Sequence, residues 1–229
     1  MQKYAIVTVG ASGVGKTTVA EALIEKLGTI EMSRSATTRA KRGDGKDAEY
    51  IYLTREEFEE SLAAGDILEY TDYGAQLYGT RRVELERIWQ NSKNPILVLD
   101  YVGARSVKEK LEVPAVAVYV YSPLDKVKAR LEKREENSSD KEKSKARIVD
   151  RMKQNIADYK KLVEFPELFD LYVENDEIDA CVDRVIASLD DLIDGKMVMS
   201  ADEKREITEN FRKDAFEFEE KHRDFLYSV

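Results

Sequence analysis

The sequence has 229 residues and a formal net charge of −9, and 36% of its residues are Asp, Glu, Lys or Arg. A chain of this length can bury a substantial core as one large domain or two small ones, and it contains no apolar run long enough to span a membrane. The acidic balance argues against general nucleic-acid binding, which needs an extensive positive surface. Because His222 is the only histidine, catalysis by a histidine base or a catalytic triad is nearly excluded.

The single cysteine, Cys181, excludes an internal disulfide bond and favours a reducing, cytoplasmic setting. A predicted strand follows Met1 almost directly, so we expect neither a signal peptide nor membrane association. Basic residues are clustered at 34–46, 81–82 and 130–151. Small anions held in a pocket explain these clusters better than a polymer does.

The most informative segment, residues 10–18, fits the phosphate-loop pattern G-x-x-x-x-G-K-[ST]. Residues 4–9 before it predict a buried strand and residues 19–27 after it predict a helix, so loop N–H groups would converge on an anion at a helix N-terminus. Lys16 would reach the outer phosphates of a nucleoside triphosphate, and the Thr17 hydroxyl would ligate Mg²⁺. These flanks favour a phosphate loop over a chance glycine-rich turn. The loop residues are Gly10, Ala11, Ser12, Gly13, Val14, Gly15, Lys16, Thr17 and Thr18.

The segment that follows, up to about residue 90, has a different pattern of predicted elements. Residues 50–53, 67–73 and 77–79 predict short strands joined by tight turns, and Thr54 with Glu57 predicts a capping box that opens a short helix. This pattern favours a small mixed or antiparallel β insert within an alternating β/α chain.

The alternation resumes at residues 95–100, an apolar run that ends in Asp100. A buried parallel strand that ends in a carboxylate is where a phosphate-loop enzyme places an Asp that ligates Mg²⁺ or water, although a core strand with a surface Asp has the same pattern. Residues 113–121 predict the next strand. Pro123 at the first helical position and Asp125 at the third predict the start of a helix.

The last third of the chain contains a polar segment and an apolar stripe. Residues 130–152 predict either a solvated hairpin of two helices or a closing lid whose arginines meet the transferred phosphoryl group. Residues 169–173 predict the last strand, and residues 179–193 an amphipathic helix. A second capping box opens a terminal helix, whose stripe must be buried against the chain's own core or in a homodimer. The stripe consists of Ile207, Phe211, Ala215, Phe218, His222 and Phe225.

Residues 33–43, SRSATTRAKRG, followed by Tyr50, Glu69 and the run of residues 78–80, resemble the guanylate kinase family. That family transfers a phosphoryl group from ATP to GMP, and the resemblance runs from the phosphate loop to about Ile193. It implies an α/β fold with a P-loop core, in which helices flank a parallel β-sheet, together with a GMP-binding insert and a helical lid; the extra C-terminal helix predicted above lies beyond the resemblance. The implied domain is 1–195, with core 1–33 and 91–195, insert about 34–90 and lid about 130–155. Residues 196–229 are expected to form a separate C-terminal helical extension.

The resemblance also implies roles for single residues. ATP would be bound by the loop residues with Arg130 and Asn175, and Mg²⁺ by Thr17, with Asp100 acting through water. The catalytic residues would be Lys16, Arg39, Arg134, Arg151 and Asp100. The GMP phosphate would be held by Arg39, Arg42, Tyr50 and Tyr78, and the guanine by Ser35, Glu69 and Thr80, with Gly79 and Asp100 in the same site.

These roles have independent physical reasons. An arginine guanidinium group can donate two parallel N–H···O bonds to the oxygens of one phosphate. Guanine presents two adjacent N–H donors that one carboxylate accepts together, whereas adenine presents a lone pair at the same edge. Considered by itself, Glu69 would be interpreted as an exposed strand carboxylate. Ser35 and Thr80, at spacings that match the family, favour the guanine-reading role.

The chain departs from the family pattern at several positions. Val98 stands where the family carries a second acid, and Val102 where it carries Gln. Lys41 replaces a common Pro, and Asp44 a common Glu. We expect these differences to alter the charge around the acceptor phosphate and the rigidity of the turn more than the type of reaction.

Two other functions fit the same resemblance. Guanylate kinase-like domains of membrane-associated scaffold proteins are non-catalytic interaction modules, but they typically have degraded phosphate loops. A related kinase family phosphorylates a phosphorylated ribose, an acceptor without a guanine edge for Glu69 and Ser35. The sequence therefore favours an ATP:GMP phosphotransferase with Mg²⁺-assisted in-line transfer.

Overall fold

The computed structural model describes residues 2–41, 43, 47–72, 74–136, 138 and 140–227. Its strands are β1 (Ala5–Val9), β2 (Ile30–Met32), β3 (Ser35–Thr37), β4 (Tyr50–Tyr52), β5 (Ile67–Asp72), β6 (Leu77–Arg81), β7 (Asn94–Val98), β8 (Ala115–Tyr121) and β9 (Leu171–Glu174). Its α-helices are α1 (Lys16–Leu27), α2 (Arg55–Ala63), α3 (Arg82–Gln90), α4 (Tyr101–Lys110), α5 (Leu124–Glu135), α6 (Lys141–Lys161), α7 (Ile178–Ile193), α8 (Ala201–Lys221) and α9 (Arg223–Tyr227).

The chain forms two compact units. The first consists of Met1–Thr8 and Ala20–Val116, and the second of Val9–Val19 and Ala117–Val229. The main sheet has five strands, of which β2, β7 and β1 lie side by side in the first unit and β8 and β9 in the second. The pairings β1–β7, β2–β7 and β8–β9 are all parallel, which confirms the predicted α/β fold class. The domain boundaries expected from the sequence stay a prediction.

A second sheet of four strands, in the order β4-β3-β6-β5, lies in the first unit. Strand β6 is antiparallel to β3 and β5, whereas β3 and β4 are parallel, so the sheet is mixed and its antiparallel alternative is wrong. The connection from Thr37 to Tyr50 is long enough for the crossover that parallel strands require. One face of the sheet packs on α2 through Ala36, Phe58 and Leu77.

Three elements of the first unit have weak signals in the sequence and were not predicted: β3, α3 and α4. Strand β3 has only three residues, and the N-cap of α3, Arg81, makes no side-chain capping bond. Helix α4 is capped by Asp100, whose carboxylate accepts from the backbone N–H of Gly103 at 2.8 Å. The predicted strand that ends in Asp100 therefore ends earlier, at Val98.

In the second unit, the prediction that Pro123 is the first residue of a helix is wrong. Pro123 is the N-cap and α5 begins at Leu124. The Asp214 carboxylate of α8 accepts from the backbone N–H of Leu124 at 2.9 Å, so a residue distant in sequence caps the helix. The capping boxes at Thr54 and at Ser200 are both present as predicted.

The middle of the apolar stripe of α8 is buried within the second unit, at Phe211, Ala215 and Phe218. The ring centroid of Phe211 lies 4.8 Å from that of Tyr121, 4.9 Å from that of Tyr159 and 5.7 Å from that of Tyr119. Of the two predicted destinations of the stripe, the chain's own core is therefore the one observed. The predicted continuation to Phe225 is wrong, because α8 ends before His222 and the buried side chain of α9 is Leu226.

The described residues were also searched for membrane-spanning segments. No helix among them combines the length and the apolar character that crossing a bilayer requires.

Candidate functional site

The phosphate loop lies between β1 and α1 and depends on glycine. Gly10, Gly13 and Gly15 have φ angles of 149°, 89° and 97°, which other residues rarely adopt. A Cβ on Gly10 would lie 2.1 Å from the carbonyl oxygen of Val120, and one on Gly15 would lie 2.4 Å from Nδ2 of Asn175. Side chains at these positions would therefore strain the backbone and collide with its supports.

Lys16 opens α1 and lies back along the loop. Its ammonium group donates to the carbonyl oxygens of Gly10 at 2.7 Å and Ala11 at 3.0 Å. The first turn of α1 contains no acidic residue, so the positive end of the helix dipole is not neutralised there. These features suit an anion such as a phosphate chain.

Three side chains of the second unit support the loop through its backbone. Asn155 accepts from the N–H of Ser12 at 2.8 Å and donates to the carbonyl oxygen of the same residue at 2.9 Å. Asn175 donates to the carbonyl oxygen of Val14 at 2.8 Å. Arg130 donates to the carbonyl oxygens of Asn175 at 2.7 Å and Val14 at 3.3 Å. The loop conformation is thus fixed by its neighbours before any ligand binds.

Helices α5 and α6 form the predicted two-helix hairpin and carry the other expected ATP-side arginines. Arg134 is exposed at the end of α5, and Arg151 is half-buried on α6. Arg147 donates to Glu135 at 2.5 Å, and this hydrogen bond lowers the pKa of the Glu135 carboxyl. The function of the hairpin as a lid stays a prediction.

Five of the expected GMP residues, which come from four strands, share one face of the mixed sheet. Strand side chains alternate between faces, and paired residues point to the same face. The pairs Ser35–Tyr50 and Thr37–Tyr78, together with Glu69–Thr80, therefore lie on one face. The opposite face packs on α2. Strand alternation thus separates the recognition residues from the core.

An irregularity in β5 determines where Glu69 lies. Ile67 is opposite Arg81 but Glu69 is opposite Thr80, so Leu68 is an extra residue between two pairs. Such a β-bulge redirects the residues that follow it. Without it, Leu68 would face Thr80 and Glu69 would point to the other face.

Glu69 is 6% exposed and accepts a hydrogen bond from the Thr80 hydroxyl at 2.6 Å. Burial raises the pKa of its carboxyl against the lowering effect of the Thr80 bond, and the Asp100 carboxylate adds to the rise. A Cβ on Gly103 would lie 3.0 Å from Oε2 of Glu69 and 3.4 Å from Oδ1 of Asp100. The missing side chain at Gly103 therefore gives space to both carboxylates.

Arg39, which is expected to bind the GMP phosphate, is 7% exposed. Its guanidinium carbon lies 5.0 Å from the ring centroid of Tyr50, whose centroid is 6.1 Å from that of Tyr78. The structure brings these three expected phosphate-binding residues together. Arg42, the fourth, lies outside the described residues.

Gly79 and Ser35 are placed by the same sheet. A Cβ on Gly79 would lie 2.6 Å from the carbonyl oxygen of Glu69, so this position admits only glycine without movement of the backbone. Ser35 is half-buried at the start of β3. Asp100 is exposed, and its carboxylate caps α4.

Two expected metal ligands, Thr17 and Asp100, offer oxygen atoms, which Mg²⁺ prefers. Thr17 is exposed in the first turn of α1, where its hydroxyl fits the expected role. In the described part of the chain, no group of three or more His, Cys, Asp and Glu is arranged to hold a metal ion.

Sequence reasoning missed Asn155 and Gly103, and also Tyr52 and Asp47, which lie beside the Arg39 guanidinium. Asn155 offers a weak signal, as an amide next to the apolar Ile156 on a helix. The others have none, because their contacts come from residues that are distant in the sequence or from irregular backbone.

A model of a protein family, described as guanylate kinase, matches residues 2–192 of this chain. Helices α8 and α9 lie outside the matched residues. The family model therefore covers the phosphate loop, the mixed sheet and the two-helix hairpin.

Curated proteins and a solved structure are also similar to this chain. A guanylate kinase of Porphyromonas gingivalis is 34% identical over 189 residues, which cover 81% of this chain and 95% of that protein. A guanylate kinase of Salinibacter ruber is 35% identical over 188 residues, which cover 80% of this chain and 94% of that protein. The crystal structure of a guanylate kinase from Anaplasma phagocytophilum matches with a TM-score of 0.57 at 23% identity, and the match covers 87% of this chain and 88% of that one. This likeness supports the fold.

Proposed function

Since this chain belongs to the guanylate kinase family, we propose that its two sets of site residues serve the two substrates of one reaction. The chain transfers the γ-phosphoryl group of ATP to GMP and gives ADP and GDP. One observation carries the assignment of GMP as acceptor. The buried Glu69 carboxylate, held by Thr80, shares a sheet face with the tyrosines around Arg39.

On the ATP side, the loop N–H groups and Lys16 would bind the phosphate chain. Lys16 would leave the carbonyl oxygens of Gly10 and Ala11 and contact the outer phosphates instead. Arg130 and Asn175 hold the loop through its carbonyl groups, which supports a positioning role for both residues in ATP binding. Arg134 and Arg151 would stabilise the charge on the transferred group.

On the GMP side, Glu69 would accept the two adjacent N–H groups of guanine. Thr80 would orient that carboxylate, and Ser35 lies on the same face of the sheet. Adenine would leave a buried carboxylate facing a lone pair, which can cost several orders of magnitude in discrimination. Arg39 with Tyr50 and Tyr78, and Arg42 by the family pattern, would bind the phosphate.

Thr17 would hold Mg²⁺, with Asp100 as an outer ligand through water. Mg²⁺ neutralises negative charge on the phosphate oxygens when it is bound. The residues of the chain then orient both substrates for in-line transfer and exclude water, so that ATP is not hydrolysed.

Cellular location and assembly are also proposals. A cytoplasmic location fits the buried thiol of Cys181, whose pKa is raised to about 11 by burial and which is therefore unreactive. A homodimer through the C-terminal helices would have to use exposed side chains such as Phe216 and Tyr227, because Phe211 is buried within its own unit.

A coupled assay of ADP formation tests the function, with ATP, Mg²⁺ and one acceptor at a time. The acceptors are GMP, AMP, CMP, UMP and ribose 1,5-bisphosphate. Strong turnover with GMP alone supports the proposal. Turnover with ribose 1,5-bisphosphate would show that the acceptor is a sugar phosphate and not GMP. ATP binding without turnover of any acceptor would favour a non-catalytic interaction module.

A further inference from the structure

The buried charge of Arg39 is held in part by Tyr52 and Asp47, to which the proposed function assigns no role. Its Nη2 atom donates to the Tyr52 hydroxyl at 2.9 Å, and its Nη1 atom to the carbonyl oxygen of Ala40 at 3.4 Å. The guanidinium carbon lies 5.6 Å from the Tyr52 ring centroid and 5.0 Å from that of Tyr50. Arg39 is therefore confined between two aromatic rings and fixed by a phenol oxygen.

The Tyr52 hydroxyl links Arg39 to a carboxylate. It donates to Oδ1 of Asp47 at 2.5 Å while it accepts from Arg39, so its single proton is directed to Asp47. A phenol bound to a carboxylate is a stronger acceptor, because hydrogen bonds in a chain polarise one another. Tyr52 and Asp47 thus define the orientation of one edge of the guanidinium.

The same geometry keeps Asp47 from taking the place of a substrate phosphate. The shortest separation between Arg39 and Asp47 is 3.8 Å, from Nη2 to Oδ1. A bidentate arginine–carboxylate pair would need two N–H···O bonds of about 2.7–2.9 Å. With the phenol oxygen between them, Asp47 stabilises the charge of Arg39 but does not engage its donor fork.

We propose that Tyr52 and Asp47 are positioning residues that hold Arg39 ready for the phosphate of the acceptor nucleotide. The inference rests on the phosphate-binding role proposed for Arg39. It assigns to this pair a share of the difference in affinity between a phosphorylated and an unphosphorylated ligand. The guanine end of the site, at Glu69, is expected to be independent of the pair.

The test measures the dissociation constants of GMP and of guanosine by calorimetry, for the whole chain. The ratio of the guanosine constant to the GMP constant isolates what the phosphate contributes to affinity. Tyr52→Phe removes only the hydroxyl oxygen and should reduce that ratio about tenfold, with guanosine affinity unchanged within about twofold. Asp47→Asn keeps the size of the side chain and should reduce the ratio about threefold.

Two controls separate the possible failures. Tyr70→Phe removes a hydroxyl from an exposed tyrosine of β5 and should leave both constants unchanged. Arg39→Ala should reduce the ratio more than either test variant. An unchanged ratio in Tyr52→Phe with a reduced one in Arg39→Ala overturns the positioning role alone. An unchanged ratio in Arg39→Ala overturns the phosphate role of Arg39 as well. A parallel loss of guanosine affinity in Tyr52→Phe would show a structural role and also overturn the proposal.

Discussion

The two candidate sites of this molecule are built by different means. In the second unit, Asn155 and Asn175 fix the backbone of the phosphate loop, and the loop offers main-chain N–H groups. In the first unit, the side chains themselves form the site, and Glu69 is already bonded to Thr80. Under the proposed function, backbone conformation would therefore determine how the ATP side recognises a phosphate chain, and side-chain identity would determine how the GMP side recognises a base.

Lys16→Ala should have the largest effect and tests whether the two sites are functionally separate. Without the ammonium group, the charge of the transferred phosphoryl group loses its nearest proposed partner, so kcat should fall by at least about 1,000-fold. GMP affinity should change by less than about twofold, because the acceptor site has its own residues. The coupled assay and calorimetry measure the two quantities. Lys26→Ala, at an exposed position of the same helix, is the control, and persistent turnover in Lys16→Ala would contradict the assignment.

Glu69→Gln tests the side-chain character of the acceptor site. The amide can accept one guanine N–H but presents its own NH₂ group to the other, so kcat/KM for GMP should fall about 100-fold or more. The KM for ATP should stay within about twofold. Glu86→Gln, an exposed position on α3, serves as the control. If GMP is used equally well by Glu69→Gln, the guanine-reading role is lost.

Gly15→Ala tests the backbone character of the ATP site, and Gly28→Ala is its matched control. Both glycines have positive φ, at 97° and 66°, but no heavy atom lies within 4 Å of a Cβ on Gly28. Gly28→Ala should cost about 1 kcal/mol in stability, and Gly15→Ala should cost more, because its Cβ would also collide with Asn175. Only Gly15→Ala should also weaken ATP binding, about tenfold or more, because its Cβ meets the side chain of Asn175. Equal ATP affinities in the two variants would mean that loop geometry is not what binds ATP.

The pH dependence of guanosine binding sharpens the comparison, since guanosine lacks a phosphate that titrates. Burial raises the pKa of Glu69, so the carboxylate becomes protonated at a higher pH than an ordinary glutamate. Guanosine affinity should therefore decline several-fold as the pH falls through this raised pKa, above the ordinary value of about 4.5. ATP affinity measured over the same pH range should not follow that curve. In Glu69→Gln, the pH dependence of guanosine affinity should disappear. A flat guanosine profile in the unaltered chain would contradict the prediction.

Glu84→Gln should have the smallest effect and tests whether the acceptor unit needs its supporting ion pairs. Burial raises the pKa of Glu84, but hydrogen bonds from Arg87 and Arg34, at 2.9 Å each, lower it to about 2. A lowered pKa means that this stabilisation is present above the unfolded value of about 4.5 and is lost as the pH falls towards 2. Because both arginines are partly exposed, we expect a loss of about 1–2 kcal/mol at pH 7 and a smaller one at pH 3.

Thermal unfolding of Glu84→Gln and of the unaltered chain at the two pH values measures that loss. Turnover with GMP should stay within about twofold. If the difference in unfolding free energy between the two proteins were larger at pH 3 than at pH 7, the proposed stabilising role of the Glu84 carboxylate would be contradicted.

The same contrast explains what could be predicted from the sequence. The phosphate loop was predictable because its glycines and Lys16 all lie within residues 10–16, and backbone conformation follows from local sequence. The long helices α7 and α8 were predictable from apolar spacing and capping residues. The acceptor site was accessible only through family resemblance, since Ser35, Glu69 and Thr80 come from three strands.

Other features could not be predicted because their causes are not local. The β-bulge that turns Glu69 towards Thr80 depends on how two strands pair, and β3 is too short to show a pattern. The start of α5 depends on Asp214, 90 residues away in sequence. Long-range partners of this kind leave no periodic signal.

The most direct test of the account is the preference for GMP over AMP, measured as a ratio of kcat/KM values in the unaltered chain and in Glu69→Gln. If side chains read the base, the preference is large in the unaltered chain and collapses by about 100-fold or more when the Glu69 carboxylate is replaced. An equal preference in both proteins would show that the base is read elsewhere and would contradict the account.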